Sequence, residues 1–427
     1  MFRKLLIAAN AVLVLTACTL PFAKDRTIEG ALDRFEQAYS EKYGARVVAA
    51  KDREVVAQVL SRVKDRYVDE VSADQLIDAA VKSISKSETD TAEPLTEALN
   101  AMMGSLDPYS AYMSPDAYSR YQSGLEGKFV GFGVRIEMRD GKLTVITPIK
   151  GSPAYEAGVQ PNDIISHLDG EPLTNMTLAE AVEKLRGPSG TRAVLTIVRP
   201  NVRTPLQLSL VRSDVDLDPV EYRVDGDVGY IRIHSFNRKT ADSVDEALSV
   251  FQAKLGSSLC GVILDMRNNP GGLVTAAVDI ADEFMNSGNI FAAENRGIEF
   301  SEEYAEDGDR INGKPILIMM NKGSASAAEI VAGALQNQKR AQVFGEQSYG
   351  KGTMQTLYNL DNGGGLRFTT GRFTAGGGKS FNGVGIRPDI EDISKKDENE
   401  LAPIARAGVA MNCHLSVQTA ASATTTQ

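Results

Sequence analysis

An apolar run, Ile316 to Met320, breaks into the small-residue segment Asn321-Lys322-Gly323-Ser324-Ala325-Ser326-Ala327-Ala328-Glu329 and then gives way to helix-like Ile330 to Leu335. A strand that turns into a helix through residues with almost no side chain commits this part of the chain to an α/β core. Each element must bury its apolar face on a neighbour. The same turn exposes the hydroxyl of Ser326. Walls of alanine and glycine admit a carbonyl group, and the N–H groups at the start of the helix can donate to an oxyanion. Downstream, Lys351 is framed by glycines in Ser348-Tyr349-Gly350-Lys351-Gly352-Thr353-Met354-Gln355. Such a lysine can serve as base for the serine only when neutral. An ordinary lysine holds its proton to about pH 10.4, so the site must supply burial and hydrogen bonds to the neutral amine. Gln355 is placed to accept from that amine and orient it.

Other chemistries fit less well. The chain has three histidines, His167, His234 and His414, and none lies in a catalytic-looking setting, which disfavours a Ser-His-Asp triad. There is no H-E-x-x-H motif and no cysteine-histidine cluster, so no metal is expected. Gly345 to Lys351 nearly matches a phosphate-binding loop. However, Gly352 stands where a Ser or Thr would hold magnesium, and no apolar strand is expected to lead directly into it, so no nucleotide cofactor is expected either. Two S-x-x-K matches, Ser61 to Lys64 and Ser83 to Lys86, lack the companion motifs of penicillin-binding enzymes. A net charge of −10 argues against nucleic acid as the main partner.

In this order, the motifs resemble those of the carboxy-terminal processing proteases, tail-specific serine peptidases of family S41 with a Ser-Lys dyad and an embedded PDZ domain. The resemblance implies a multidomain α/β chain. It would have a helical N-terminal region, a PDZ domain that is β-rich with helices, and an α/β serine protease core of the ClpP/crotonase-like type. It further implies that Ser326 is the nucleophile, Lys351 its base and Gln355 the residue that holds the amine. The implied oxyanion donors are the backbone N–H groups of Ala327 and of Gly272. The segment around Gly272 also reads independently as a buried strand, Val262 to Leu264, that breaks into Pro270-Gly271-Gly272, a turn allowing close backbone approach. Leu106-Asp107-Pro108 resembles a family segment, with Tyr109 where histidine is common.

Gly124 to Pro200 resembles a PDZ domain, and Gly131, Phe132, Gly133 and Val134 match its carboxylate-binding loop. There, free N–H groups can cradle a peptide's terminal carboxylate while the strand edge pairs with its main chain. The resemblance further implies that Arg186, at the end of the expected PDZ helix through Leu178, Val182 and Leu185, links peptide docking to dyad alignment. The implied partners are proteins or peptides with accessible C-termini, together with an adaptor or a second copy of the chain. The alternative reading is a non-catalytic, lipid-anchored PDZ scaffold that gathers C-termini.

The N-terminus reads as a targeting segment. Arg3 and Lys4 precede an apolar stretch, Leu5 to Leu15, too short for a comfortable membrane span, and Leu15-Thr16-Ala17-Cys18 matches a bacterial lipobox. The expected boundaries are a signal peptide over 1–17, helices over 18–121, PDZ over 122–202, peptidase over 203–397 and a C-terminal extension over 398–427 ending in a low-complexity tail. Lipidation at Cys18 would tether the chain to a membrane on the periplasmic side of the cell envelope. Outer-membrane sorting fits, because Thr19 is not a retention aspartate. Cys260 reads most simply as a buried small hydrophobe and Cys413 lies near the end. A disulfide between them is permitted outside the cytoplasm but not demanded.

Overall fold

The computed structural model describes residues 26–44, 50–88, 93–173, 176–378, 380–392 and 401–413. The leader with Cys18, His414 and the tail lie outside the described residues. Helices α1 (Arg26–Tyr43), α2 (Ala50–Arg66), α3 (Ala73–Lys86) and α4 (Pro94–Gly104) come first, followed by the short strand β1 (Ala111–Met113). On α2, Val55, Val56, Val59, Leu60 and Val63 form one buried stripe at helical spacing. A reciprocal capping box between Ser72 and Gln75 starts α3, and Pro94 at the first turn starts α4. Up to Tyr112, and together with 358–362 and 366–368, these residues form one of two compact units. Its core joins Leu32, Phe35, Leu76 and Leu99 to Leu360, Leu366 and Phe368. Among the described residues no helix is long and apolar enough to cross a membrane.

The second unit opens with α5 (Pro115–Leu125) and β2 (Lys128–Gly131). A small β domain follows: β3 (Val134–Arg139), β4 (Lys142–Pro148), α6 (Pro153–Glu156), β5 (Ile164–Leu168), β6 (Glu171–Pro172), α7 (Leu178–Leu185), β7 (Arg192–Val198) and β8 (Leu206–Val211). The strands run β3-β4-β5-β7-β8 with β6 beside β5, and β9 (Ser213–Asp216) pairs antiparallel with β2. Thr177 and Glu180 form a capping box that starts α7. Ala181 and Leu185 of α7 enter the core with Phe132, Leu143, Ile165, Leu195 and Ile197, whereas Leu178 is exposed.

The remainder of this unit is built on a six-stranded sheet. In chain order its elements are β10 (Val220–Asp225), β11 (Val228–Ile233), α8 (Thr240–Leu255), β12 (Gly261–Asp265), α9 (Val274–Asp282), β13 (Asn289–Asn295), β14 (Ile298–Tyr304), β15 (Ile316–Met320), α10 (Ala327–Asn337), β16 (Gln342–Gly345), β17 (Thr353–Asn359), β18 (Gly365–Ala375), β19 (Ile390–Glu391) and α11 (Leu401–Ala410). The sheet order is β10-β11-β12-β15-β16-β19, with β10 antiparallel to β11 and the other pairs parallel. Every residue of β12 and β15 is buried, as expected of parallel strands covered on both faces. Alternate side chains divide between two cores. Ile231, Ile233, Val262, Leu264, Ile316, Ile318 and Met320 meet α8, α9 and α10, while Val228, Tyr230, Ile263, Leu317, Met319 and Phe344 meet Ile404 and Ala407 of α11. β18, β13 and β14 lie side by side in a further sheet, with β17 pairing to β18. The multidomain α/β architecture expected from the sequence is therefore present.

Cys260 and Cys413 form a disulfide with Cα atoms 5.9 Å apart, so Cys260 is not the free apolar filler that the sequence most simply suggested. The bridge fixes the end of α11 against the start of β12, and Arg406 adds a two-pronged pair to Asp392 at 2.7 Å.

Candidate active site

Ser326 sits between β15 and α10 with φ 58°, a left-handed conformation that a serine adopts only when its surroundings enforce it. Several contacts enforce it. The Ser326 N–H donates to the Glu329 carboxylate at 2.8 Å, and the Ser326 carbonyl accepts from the N–H groups of Glu329 and Ile330. The preceding Ala325 N–H donates to the Asn269 carbonyl at 2.9 Å, and the buried Ser324 hydroxyl donates to the Met266 carbonyl at 2.8 Å. The turn that follows β12 is thus laced to the serine turn. Gly271 makes the approach possible, because a Cβ there would lie 2.8 Å from that of Ser326.

The turn presents donors as well. Gly271 gives its N–H to the Asn269 side chain, whose own amide is anchored on the Ile233 carbonyl. The N–H groups of Gly272 and Ala327 find no acceptor among the described residues. Gly272 is pressed against Phe236, where a Cβ would come within 2.0 Å of the carbonyl oxygen. Beneath this turn the buried Asp265 carboxylate accepts from Arg267 at 2.6 and 2.9 Å and from the Tyr230 hydroxyl at 2.8 Å. Burial works to raise the Asp265 pKa, but the Arg267 guanidinium and the Tyr230 hydroxyl outweigh it and hold the carboxyl below its ordinary value.

Lys351 is brought to the same centre by its backbone. Its N–H donates to Glu329 Oε2 at 2.8 Å, the oxygen that also receives the Ser326 N–H. Glu329 Oε1 takes the Gly350 N–H at 2.6 Å and the Ser348 hydroxyl. One fully buried carboxylate therefore ties the serine turn to the lysine loop. The segment 380–389 forms a cradle for that loop: Gly383 donates to the Gly350 carbonyl, Ile386 donates to the Ser348 hydroxyl, and the Asn382 side chain accepts from Gly352. Lys351 itself is partly buried. On β17, the Gln355 amide nitrogen donates to the Thr353 carbonyl and hydroxyl and to the Thr369 hydroxyl.

Glu329, which joins the two turns, is a residue that no catalytic motif in the sequence singles out. Its signal is its spacing from Ser326, that of a capping box. The strand β16 does run into the loop from Gly345 to Lys351, but the loop continues into β17 and not into a helix, so the N-terminal dipole of a phosphate-binding loop is absent. Of the described histidines, His167 lies against Ser166, and His234 lies 3.1 Å from Glu221. Asp227, Cys260 and Cys413 are the one metal-like trio among the described residues, and its two sulfurs are joined as the disulfide.

In the small β domain, Phe132 turns into the core under the Arg212 guanidinium, 4.8 Å from its ring centre. The Phe132 carbonyl accepts from Ala154, and the Gly133 carbonyl accepts from Ile149 and from the Ser152 hydroxyl. Gly133 has φ 75°, and a Cβ there would fall 2.1 Å from that of Ser152. Gly131 ends β2 and Val134 begins β3, so the loop's two free ends are each fixed by a strand. Gly133→Val is expected to weaken capture of a free C-terminal peptide by about tenfold or more, with catalysis on short amidated peptides retained; fluorescence anisotropy and a cleavage assay check both. Arg186 caps the end of α7 and makes its ion pair within its own helix, to Glu183 at 2.6 Å.

Residues 227–392 match the profile of Peptidase family S41, and residues 144–199 match that of a PDZ domain. The chain is 41% identical over 298 residues to the carboxy-terminal-processing protease of Bartonella bacilliformis, covering 69% of each. It is 35% identical over 301 residues to the carboxyl-terminal-processing protease of Synechocystis sp., covering 68% of this chain and 69% of that one. Among solved structures it resembles a photosystem II D1 C-terminal processing protease, with a TM-score of 0.54 and 25% identity, over 84% of this chain and 97% of the other. The chain belongs to peptidase family S41 and is a carboxy-terminal-processing serine peptidase that carries a PDZ domain.

Proposed function

We propose that this peptidase cuts proteins near their C-termini through a dyad of Ser326 and Lys351. The observation that carries the reading is the Glu329 carboxylate, which accepts the N–H of both residues through the same oxygen. Ser326 Oγ attacks the substrate carbonyl and Lys351 Nζ takes its proton. The Gly272 and Ala327 N–H groups receive the oxyanion. The C–N bond then breaks, Lys351 gives the proton to the departing amine, and an ester remains on Ser326. Water, deprotonated by the same amine, attacks the ester and restores the hydroxyl. The Gln355 amide nitrogen is held by Thr353 and Thr369, which leaves its carbonyl oxygen to orient Lys351.

The PDZ loop at Gly131 to Val134 is proposed to hold the substrate's terminal carboxylate, and Arg186 to couple that docking to the dyad. Comparing a peptide with a free C-terminus and the same peptide amidated tests the scheme. The free form is expected to be cut faster, Arg186→Ala to shrink that advantage, and Lys351→Ala to remove cleavage of both. Binding without any cleavage would instead favour a scaffold. We further propose a lipid-anchored location on the periplasmic side of the bacterial envelope through Cys18. The Cys260–Cys413 disulfide supports an oxidising compartment.

A further inference from the structure

β14 is the end strand of its sheet: β13 pairs with one edge of it, and among the described residues no strand takes the other. Its side chains are exposed almost throughout, with Ile298 at 72%, Phe300 at 50% and Tyr304 at 58%. An open edge presents unpaired N–H and C=O groups to any extended chain, and proteins ordinarily blunt such edges with charged side chains (lysine above all), proline, bulges or a cover. Here neither lysine nor proline occurs in the strand, and its charge is glutamate alone, which repels a like edge and leaves it open to a cationic one. The register with β13 shifts at two places, between Asn289 and Phe291 and at Phe300, whose ring rests on the bare backbone of Gly371.

Charge decides which chain would fit. From Glu294 to Asp307 the sequence holds six acidic residues and one arginine. The field is felt locally: Glu302 pushes the Tyr304 phenol above its ordinary value while accepting its hydroxyl. A second copy of β14 laid alongside would bring Glu299, Glu302 and Glu303 against their own kind, which is destabilising between paired strands. We propose that the free edge of β14 is a docking strand for an extended, cationic polypeptide segment, bound by main-chain pairing, with lysine or arginine side chains meeting Glu299, Glu302 and Glu303 and apolar side chains covering Ile298 and Phe300. Two strand spacings, about 10 Å, separate this edge from β18, which holds Gln355 through Thr369. A segment docked here extends the sheet that supports the lysine loop. Docking at this edge needs neither Ser326 nor Lys351.

The test uses the full chain as Ser326→Ala and a labelled peptide alternating lysine with valine, amidated so that the PDZ loop has no carboxylate to hold. Saturable binding by anisotropy is expected, weakened as salt is raised towards about 1 M, where the screening length is about 3 Å. The Glu299→Lys/Glu303→Lys pair, at exposed positions, is expected to lower affinity about tenfold and Gly133→Val to leave it unchanged. Hydrogen exchange should show new protection confined to 298–304. No saturable binding, equal binding by the charge-reversed chain, or protection elsewhere would overturn the proposal. So would a concentration-dependent dimer abolished by the same reversal, which would assign the edge to a second copy.

Discussion

Ser326→Ala is expected to reduce kcat by about five to six orders of magnitude, the scale of nucleophile removal in serine peptidases, without loss of fold or of C-terminal peptide binding. The fold should survive because the left-handed turn is held by backbone groups: the Ser326 N–H on Glu329, its carbonyl on the N–H groups of Glu329 and Ile330, and Ala325 on Asn269. None of these bonds uses the hydroxyl. A chain that lost activity together with its cooperative thermal transition would show that the hydroxyl is structural. Covalent labelling by a fluorophosphonate, located by mass spectrometry, should fall on Ser326 and vanish in the alanine variant. Labelling at another serine would remove the assignment.

The second large effect is expected at Glu329. Its two oxygens receive Ser326 N–H, Lys351 N–H, Gly350 N–H and the Ser348 hydroxyl, all in a fully buried site. Glu329→Gln keeps the shape but turns one oxygen into an N–H₂ group that must face at least one backbone donor. Each buried donor left without an acceptor costs about 1 to 3 kcal/mol. The loop can avoid that cost only by moving, and a displacement of about 1 Å between reacting groups lowers rates about a hundredfold. A fall in kcat of about 10² to 10³ is expected, together with a lower Tm. Fluorophosphonate labelling of Ser326 should slow in parallel, whereas peptide capture by the PDZ loop should not change. Glu329→Asp should fare no better, because a side chain one methylene shorter cannot span both turns. Wild-type labelling in the glutamine variant would reduce Glu329 to a packing residue.

The local geometry of this site was legible where neighbours in sequence are neighbours in space. The run Ile316 to Met320 is the buried strand, and Ala327 begins the helix. The turn at Pro270 to Gly272 is the close backbone approach that the glycines suggested. What remained hidden depends on distant pairings. The bonds from Glu329 to Ser348, Gly350 and Lys351 span about twenty residues, and the cradle around the lysine loop comes from 380–389. No periodicity in either segment announces the other. Asp265, Arg267 and Tyr230 illustrate the same limit. Asp265 and Arg267 are near neighbours in sequence, but the tyrosine that completes their network comes from an adjacent strand. The two cysteines are 153 positions apart, and thiol pairing at that range follows only from the tertiary fold.

That covalent link has a topological effect. Gly272, Ser326, Glu329, Lys351 and Gln355 all fall inside the ring it closes. A single cut by another protease at the protruding hairpin near Gly297 would leave both pieces joined. The damaged molecule would migrate as one chain until a thiol was added, so the proposed catalytic groups would stay covalently joined after the first nick.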